Sequence, residues 1–252
     1  MRIDLSGQAV LVTGGARGIG EAISRRFAEA GARVLIHYGA GRERAEALAG
    51  ELGGAAAALG ADLADPRAAS ALWREAEALA GRGHALVCTA GVAVASPLDF
   101  EEAQWLADWE RTLAVNLTSA AVLIRAAAPH FRTHGGGRIV TVSSRAAFRG
   151  DTPDHLAYAA SKGGLVALTK SVARGFGRDG IKAFGVAPGF TRTEMAQDFI
   201  DLYGEDFATR DLALPTLTEP DDVAPAVVFL ASGLADHATG TTIDINAGSY
   251  VR

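Results

Sequence analysis

Seven short apolar runs recur along the chain, each separated from the next by a longer segment. Short runs rich in Val, Ile, Leu and Ala that end in glycine or polar residues are typical of strands buried on both faces of a parallel sheet. The predicted strands are Ala9–Thr13, Ala32–Tyr38, Ala55–Leu59, His84–Thr89, Arg138–Ser143, Ile181–Ala187 and Thr241–Asn246.

Between these strands lie amphipathic segments whose apolar residues recur at helical spacing. The predicted helices are Glu21–Ala30, Arg42–Leu52, Pro66–Ala80, Glu101–Arg132 (a short helix followed by a long one), His155–Gly177 and Glu219–Ser232. The segment Thr191–Leu217 lacks a clean strand and predicts a mobile lid that contains a short helix. Because strands and helices alternate, we predict one α/β domain over residues 1–252, with a doubly wound, seven-stranded parallel sheet and helices on both faces.

Composition narrows the possible partners and the compartment. A chain of 252 residues, 49% of them hydrophobic, is long enough for one large core, and its net charge of −5 argues against nucleic-acid or anionic-membrane partners. No apolar run approaches the ~18 residues that a membrane span needs. Cys88 is the only cysteine and the N-terminal residues show no signal-peptide pattern, so we expect a cytoplasmic protein. We predict no metal site.

A glycine-rich turn, Thr13-Gly-Gly-Ala-Arg-Gly-Ile-Gly20, joins the first predicted strand to the first predicted helix. Glycines let a ligand approach the backbone closely, and a helix N-terminus favours an anion, so this context predicts a site for a dinucleotide pyrophosphate. The glycines stand at 14, 18 and 20, which differs from the G-x-G-x-x-G spacing of many dehydrogenases.

Tyr158 and Lys162 are the candidate reactive pair, because residues four apart share one helix face. A nearby ammonium lowers the pKa of a tyrosine from its usual value near 10, and so makes a proton donor and acceptor for a carbonyl or an alcohol. Ser144, at the end of the fifth strand, is placed to hold the substrate oxygen. Two further candidates are Asn116, a polar residue in an apolar helical stretch, and Asp62, at a strand end where ligands bind or where it caps a turn.

Five signals occur in one order over essentially the whole chain: Thr13–Gly20, Asn116, Ser144, Tyr158-Ala-Ala-Ser-Lys162 and Pro188-Gly-Phe-Thr-Arg-Thr193. Together they resemble the short-chain dehydrogenase/reductase family, whose members include 3-oxoacyl-acyl-carrier-protein reductases. The resemblance implies a Rossmann fold, a nicotinamide cofactor, and commonly a homotetramer joined through the long helices and through the last helix and strand.

The resemblance also implies roles for individual residues. Tyr158 would be the general acid/base, Lys162 would hold the nicotinamide ribose and lower the Tyr158 pKa, Ser144 would orient the substrate oxygen, and Asn116 would hold a water in a proton relay. The other residues implied to bind the cofactor are Gly14, Arg17, Gly18, Ile19, Gly20, Asp62, Leu63, Ala90, Gly91, Pro188, Gly189, Thr191 and Thr193. Tyr38, at the end of the second strand, is a further candidate for cofactor binding.

Two positions depart from the family pattern. The fourth strand ends in Cys88-Thr-Ala-Gly91 where relatives usually have Asn-Asn-Ala-Gly, which puts the side-chain hydrogen bonds there in doubt. Tyr158 also follows Ser144 by one position more than in many relatives, so Ser143 is an alternative to Ser144, although we favour Ser144.

Charged and aromatic residues near the predicted site bear on the choice of cofactor and on the substrate pocket. The second strand ends at Tyr38 without the acid that usually binds the NAD ribose, while Arg17 and Arg42 suit a 2′-phosphate, so we favour NADP(H) and keep NAD(H) as the alternative. The predicted substrate pocket lies between residues 146–155, next to the basic Arg145 and Arg149, and the lid. Its apolar wall is predicted to come from Phe148, Phe190, Phe199, Tyr203 and Phe207. The leading function is a carbonyl or alcohol oxidoreductase, of which a 3-oxoacyl thioester reductase is one form. The alternatives are a silent cofactor-binding regulator, an NAD-dependent dehydrogenase of a small alcohol or sugar, and an isomerase or dehydratase that uses the same cofactor.

Overall fold

The seven apolar runs form one sheet in the computed structural model, which describes residues 3–53 and 56–252 apart from the side chains of Asp198, Leu202, Tyr203 and Glu205. Neighbouring strands pair in parallel in the order β3-β2-β1-β4-β5-β6-β7. The strands are β1 (Ala9–Thr13), β2 (Arg33–Tyr38), β3 (Ala57–Gly60), β4 (Ala85–Cys88), β5 (Gly137–Val142), β6 (Ile181–Pro188) and β7 (Thr242–Ile245). Ala55, the predicted start of β3, lies outside the described residues.

Helices fill the connections. They are α1 (Gly18–Glu29), α2 (Arg42–Leu52), α3 (Pro66–Ala80), α4 (Glu102–Leu113), α5 (Ser119–Thr133), α6 (Ala146–Arg149), α7 (Leu156–Phe176), α8 (Glu194–Tyr203), α9 (Glu205–Thr209) and α10 (Pro220–Ala231), with 3₁₀ turns at Pro153–His155, Gly177–Asp179 and Asp236–Ala238. Helix α1 begins inside the glycine-rich turn, three residues before the predicted start.

The core has two apolar layers, one on each face of the sheet. Val10 and Val12 of β1 point into the layer covered by α1, α2 and α10, while Leu11 points into the layer covered by α3, α5 and α7. Successive strand residues face opposite sides of a sheet, so a strand buried on both faces must be apolar throughout. The predicted doubly wound sheet is confirmed.

Local signals set the helix ends. Asp65 accepts a hydrogen bond from the Arg67 backbone N–H at 2.8 Å, and Pro66 supplies a fixed φ at the first turn of α3. Glu219 and Asp222 form a reciprocal capping box at the start of α10. These contacts use backbone donors that a helix N-terminus otherwise leaves unpaired.

The segment predicted as a short helix and then a long one is instead a continuous helical run. Helices α4 and α5 are joined without a break by a π-helical turn, Ala114–Thr118, which contains Asn116. A π turn widens the helix by one residue and often marks a functional position. Both predicted helices, the shorter α4 and the longer α5, are therefore present, and no break separates them.

Among the described residues, one helical segment, Glu102–Thr133, is long and apolar enough to cross a membrane by length and composition alone. Its α5 half is packed into the core through Leu123, Ala127 and Phe131, which are fully buried. A core helix of this kind passes the same test, so the segment is explained by packing against the sheet.

Candidate active site

A cleft of about 810 Å³ runs along the carboxyl ends of the strands. Residues that follow β1, β2 and β3 line one end, and residues that follow β5 and β6 line the other. Ligands of open α/β sheets bind at this edge, where the crossover connections diverge to the two faces. Most of the residues singled out in the sequence therefore meet in one place.

The glycine-rich turn is tightly enclosed. Gly14 has φ +61° and Gly18 has φ +49°. A Cβ on Gly14 would lie 3.1 Å from the Ala90 Cα, and one on Gly18 would lie 3.1 Å from the Thr193 Cγ2. Side chains are disfavoured at both positions by the backbone and by the neighbours. The first residues of α1, which carry no side-chain cap, are thus left accessible to an anion from the cleft.

His37 fixes this turn, and the sequence analysis did not single it out. Its Nδ1 accepts a hydrogen bond from the Gly14 N–H at 3.0 Å, so its Nε2–H donates to the Ala61 carbonyl, also at 3.0 Å. The ring is 2% exposed, and burial lowers its pKa, which keeps it neutral. A polar residue inside an otherwise apolar strand was the available signal.

At the end of β4, Cys88 and Thr89 replace the usual asparagines, and the backbone there is still held by hydrogen bonds. The Thr13 hydroxyl oxygen accepts hydrogen bonds from the backbone N–H groups of Thr89 (3.0 Å) and Ala90 (3.1 Å). Cys88 is buried, and burial raises the pKa of its thiol to about 12, so it acts as a small packing residue. Thr89 lines the cleft, and its buried hydroxyl has no hydrogen-bond partner among the residues that the structure describes.

Asn116 lies behind the cleft wall and is 1% exposed. Its Oδ1 accepts from the Val92 N–H at 2.8 Å, and its Nδ2 donates to the Val92 carbonyl at 2.9 Å and to the Ser161 Oγ at 3.0 Å. The π turn thus clamps the segment after β4 to helix α7. This backbone anchoring was not foreseen, and the relay role implied by the resemblance stays a prediction.

The two adjacent serines have different surroundings. Ser143 is buried and donates to the Lys162 carbonyl at 2.9 Å, which uses its proton within the core. Ser144 lines the cleft and accepts from the Ala146 N–H at 3.1 Å, and its hydroxyl opposes the rise in the Tyr158 pKa. This geometry favours Ser144 over Ser143.

Tyr158 and Lys162 lie on one face of α7, with the Lys162 Nζ 5.7 Å from the centre of the tyrosine ring. Lys162 is 3% exposed, and its ammonium donates to the Val142 carbonyl at 2.9 Å. Burial lowers the Lys162 pKa to about 8. Burial also raises the Tyr158 pKa to about 12, and the Ser144 hydrogen bond opposes this only in part. The shift of the Tyr158 pKa is therefore opposite to the expected depression.

Charged groups at the other end of the cleft differ from the predicted set. Arg42 is 74% exposed on its side chain, pairs with Glu46 at 2.7 Å one helical turn away, and does not line the cleft. Arg44 lines the cleft instead and pairs with Glu194 of α8 at 2.6 Å. Arg17 also approaches Glu194, at 3.6 Å. Arg42 and Arg44 lie two residues apart on a helix and hence on different faces. The sequence at the end of β2 does not show which of the two faces the cleft.

The remaining predicted cofactor residues line the cleft: Ile19, Gly20, Tyr38, Asp62, Leu63, Ala90, Gly91, Pro188, Gly189, Thr191 and Thr193. Asp62 also accepts from the Ala64 N–H at 2.9 Å, so it caps a turn as well. Thr193 caps helix α8 through the Ala196 N–H at 3.2 Å, which fixes the start of the lid segment beside the glycine-rich turn.

Aromatic rings close the end of the cleft near Tyr158. Phe190 contacts Phe199 and Phe207 edge to face, with ring centres 5.9 and 6.0 Å apart. Phe148 packs against Arg252 instead and does not line the cleft. The predicted contribution of the Tyr203 side chain lies outside the described residues. The segment predicted as a lid with one short helix carries two helices, α8 and α9.

The donor set fits a dinucleotide. The enclosed glycine turn, the uncapped N-terminus of α1, and the unpaired Thr89 hydroxyl provide anion-binding and hydroxyl-binding groups along one cleft. No cluster of three metal-ligating side chains was found in residues 3–53 and 56–252.

Comparison with known proteins identifies the family. Residues 14–249 match the family model described as Enoyl-(Acyl carrier protein) reductase. The solved structure of a short chain dehydrogenase from Burkholderia cenocepacia J2315 in complex with NADP is 36% identical, with a TM-score of 0.90 over 97% of this chain and 98% of that one. The chain belongs to the short-chain dehydrogenase/reductase family.

Other members of this family are similarly close. The L-rhamnose 1-dehydrogenase (NAD(P)(+)) of Azotobacter vinelandii is 38% identical over 97% of both chains. The 3-oxoacyl-acyl-carrier-protein reductase FabG of Staphylococcus aureus is 33% identical over 97% of this chain and 98% of its own. As a short-chain dehydrogenase/reductase, the protein is an oxidoreductase with an NAD(P)(H) cofactor, and the predicted fold and family are confirmed.

Proposed function

We propose that this short-chain dehydrogenase/reductase prefers NADP(H) and moves a hydride between the nicotinamide and a carbonyl or secondary-alcohol carbon, with Tyr158 exchanging the proton. The observation that carries this proposal is the convergence of Ser144, Tyr158 and Lys162 at one end of a cleft whose other end is the glycine-rich turn. When bound, the nicotinamide supplies or accepts the hydride.

Tyr158 is the proton donor for carbonyl reduction in this proposal. With its pKa raised to about 12 by burial, its hydroxyl is protonated at neutral pH, as a general acid must be. Ser144 lines the same end of the cleft as Tyr158 and would share the substrate oxygen with it. The two hydroxyls thus orient the reacting carbonyl and stabilise the negative charge that develops on its oxygen.

Lys162 supports the charge of the phenolate left after proton transfer. Below a pH of about 8 it is an ammonium held by the Val142 carbonyl, at the base of the site. A small rotation of the side chain would bring Nζ closer to the Tyr158 hydroxyl, where it would also lower the Tyr158 pKa. The proposal also includes a proton relay through Asn116, whose amide is held in place by Val92 and Ser161.

NADP(H) preference is supported by the charges around the end of β2. Arg17 and Arg44 line the cleft, and Gly39, Ala40 and Gly41 provide no carboxylate to bind a ribose 2′-hydroxyl. Guanidinium groups suit a phosphate because their planar fork donates two parallel hydrogen bonds. Arg44 takes the place that the sequence assigned to Arg42. Glu194 holds both arginines before a phosphate arrives.

The alternatives differ in substrate and in activity. An NAD-dependent dehydrogenase of a small alcohol or sugar is favoured by the similarity to the L-rhamnose enzyme, and a 3-oxoacyl thioester reductase by the similarity to FabG. A silent cofactor-binding regulator would need no Ser144, Tyr158 and Lys162 set.

We further propose a cytoplasmic homotetramer formed through α4, α5 and α7 and through α10 and β7, with residues 191–217 as the substrate lid.

A substrate screen tests the proposed function. The protein is incubated with NADPH or NADH and a panel of ketones, oxo acids and 3-oxoacyl thioesters, or with NADP⁺ or NAD⁺ and the matching alcohols, and absorbance at the nicotinamide band is followed. We expect turnover that is faster with NADPH than with NADH at low cofactor concentration. Cofactor binding without turnover of any compound would instead support a regulator. A monomer in light scattering would contradict the tetramer.

A further inference from the structure

Arg145 is a buried cation in the substrate end of the cleft that the reaction described above does not use. It directly follows Ser144, lines the cleft, and is 6% exposed. Its backbone is fixed, because its N–H donates to the Pro188 carbonyl at 2.9 Å. Arginine is almost never fully buried unless it is paired.

No such pairing satisfies this guanidinium. Within the described part of the chain, Nη1 of Arg145 is buried and has no hydrogen-bond partner. The guanidinium carbon lies over the face of Phe190, 5.1 Å from the ring centre, which contributes attraction but accepts no hydrogen bond. A buried charge without a hydrogen-bonding partner is unfavourable, so the site is complete only when a ligand supplies an acceptor.

The acids nearby are already engaged. Asp211 accepts from Arg149 at 3.0 Å, and Asp151 is exposed and binds the Thr152 N–H at 2.8 Å. Arg149 adds further positive charge, and together with burial it lowers the Arg145 pKa to about 10, at which the group is still a cation at neutral pH. By contrast, Arg17 and Arg44 at the opposite end of the cleft have Glu194. Arg145 is therefore a buried cation of the cleft that forms no ion pair within the described residues.

We propose that the substrate carries a carboxylate that pairs with Arg145, so that the enzyme interconverts oxo acids and hydroxy acids. This inference rests on the proposed function, since it names the substrate class of that same site. A carboxylate presents two oxygens in one plane, which matches the fork of a guanidinium. Ser144 and Arg145 both line the cleft, so one substrate molecule would reach both through a spacer between its reacting carbon and its carboxylate. Phe190, Phe199 and Phe207 provide apolar contacts for that spacer and its substituents.

The test compares each oxo acid with its methyl ester. Both compounds share the reacting carbonyl, but only the acid pairs with Arg145. In the wild type we expect a higher kcat/KM for the acid, carried mainly by a lower KM. Arg145→Met keeps an unbranched side chain and removes the charge, so it should lower kcat/KM for the acid by about 100-fold, as expected when a buried charge pair loses one partner. Turnover of the ester should change little.

Two further variants separate recognition from folding. Arg145→Lys retains the charge without the fork and should recover part of the preference for the acid. Arg192→Met serves as the matched control, because Arg192 is an exposed arginine paired with Glu219 at 2.9 Å and does not line the cleft. It should leave the ratio of acid to ester unchanged. A merely structural role of Arg145 would lower both activities together and leave that ratio at its wild-type value.

The outcomes distinguish this inference from the proposed function. Wild-type turnover of esters and neutral ketones that equals or exceeds turnover of acids would overturn the inference while the oxidoreductase stands. Absence of all turnover would contradict the proposed function. In that case, oxo-acid binding tests whether Arg145 recognises a carboxylate. Oxo acids titrated into the NADPH-saturated protein should bind saturably to the wild type and not to Arg145→Met. Lack of oxo-acid binding to the wild type would overturn the inference that Arg145 binds a carboxylate.

Discussion

Asn116→Ala should destabilise the protein by removing the clamp between the π turn and the segment after β4. The amide makes three hydrogen bonds, two with the Val92 backbone and one with Ser161, and it is 1% exposed. An intramolecular hydrogen bond contributes about 1 kcal/mol net, so their loss amounts to about 3 kcal/mol of unfolding free energy. The truncation leaves the N–H and the carbonyl of Val92 without these partners.

Urea denaturation measures this loss. With an m-value of about 3 kcal/mol/M, at the upper end for small domains, a loss of about 3 kcal/mol lowers the midpoint by about 1 M. Thr118→Ala is the matched control, since Thr118 lies on the same π turn with an exposed side chain. A surface change of this kind should alter the unfolding free energy by no more than about 0.5 kcal/mol.

Cofactor binding provides a second readout of the same clamp. Gly91 and Val92 line the cleft, and a Cβ on Gly91 would lie 3.4 Å from the Asn116 Oδ1. Loosening this segment should therefore weaken NADPH binding by Asn116→Ala. Calorimetric titration without urea, at a temperature at which the variant is folded, measures this. Equal urea midpoints for Asn116→Ala and Thr118→Ala would refute the anchoring argument.

Two further predictions follow from the charges of the cleft. Glu194→Gln should tighten NADPH binding relative to NADH, because it removes the carboxylate that pairs with Arg17 and with Nη1 of Arg44, while Arg44 keeps its pair with Glu21 at 3.1 Å; an unchanged ratio of the two dissociation constants in calorimetry would contradict this. In the ligand-free protein, burial raises the Tyr158 pKa from 10.0 to about 12, so phenolate forms only at higher pH. The absorbance difference at the phenolate band between wild type and Tyr158→Phe should stay flat through pH 10, and a midpoint below pH 10 would contradict the buried geometry.

The sheet was predictable because its strands are buried on both faces. A continuous apolar run followed by glycine leaves few alternatives to a parallel strand, as β1 and the turn after it illustrate. The order of the motifs then brought Ser144, Tyr158 and Lys162 to one edge. Ser144 follows a strand end, and Tyr158 and Lys162 lie four residues apart on one helix, so local spacing is enough to place them.

What the sequence did not disclose depends on side-chain direction. Arg42 and Arg44 have the same chemistry, and only the rotation of α2 decides that Arg44 faces the cleft. His37 and Asn116 bind backbone groups that are distant in sequence, so no local pattern identifies their partners. The raised Tyr158 pKa likewise depends on burial and on where the Lys162 ammonium points.

Single-turnover reduction by Tyr158→Phe tests the central claim most directly. The variant is loaded with NADPH and mixed with the best carbonyl substrate from the screen, and decay of the nicotinamide absorbance gives the rate of the chemical step. Removal of the hydroxyl alone should leave the fold and the NADPH dissociation constant near wild type, while the rate falls by about 10²–10⁴-fold, the usual contribution of general acid catalysis. A wild-type rate in the folded, NADPH-bound variant would contradict the assignment of Tyr158 as the proton donor.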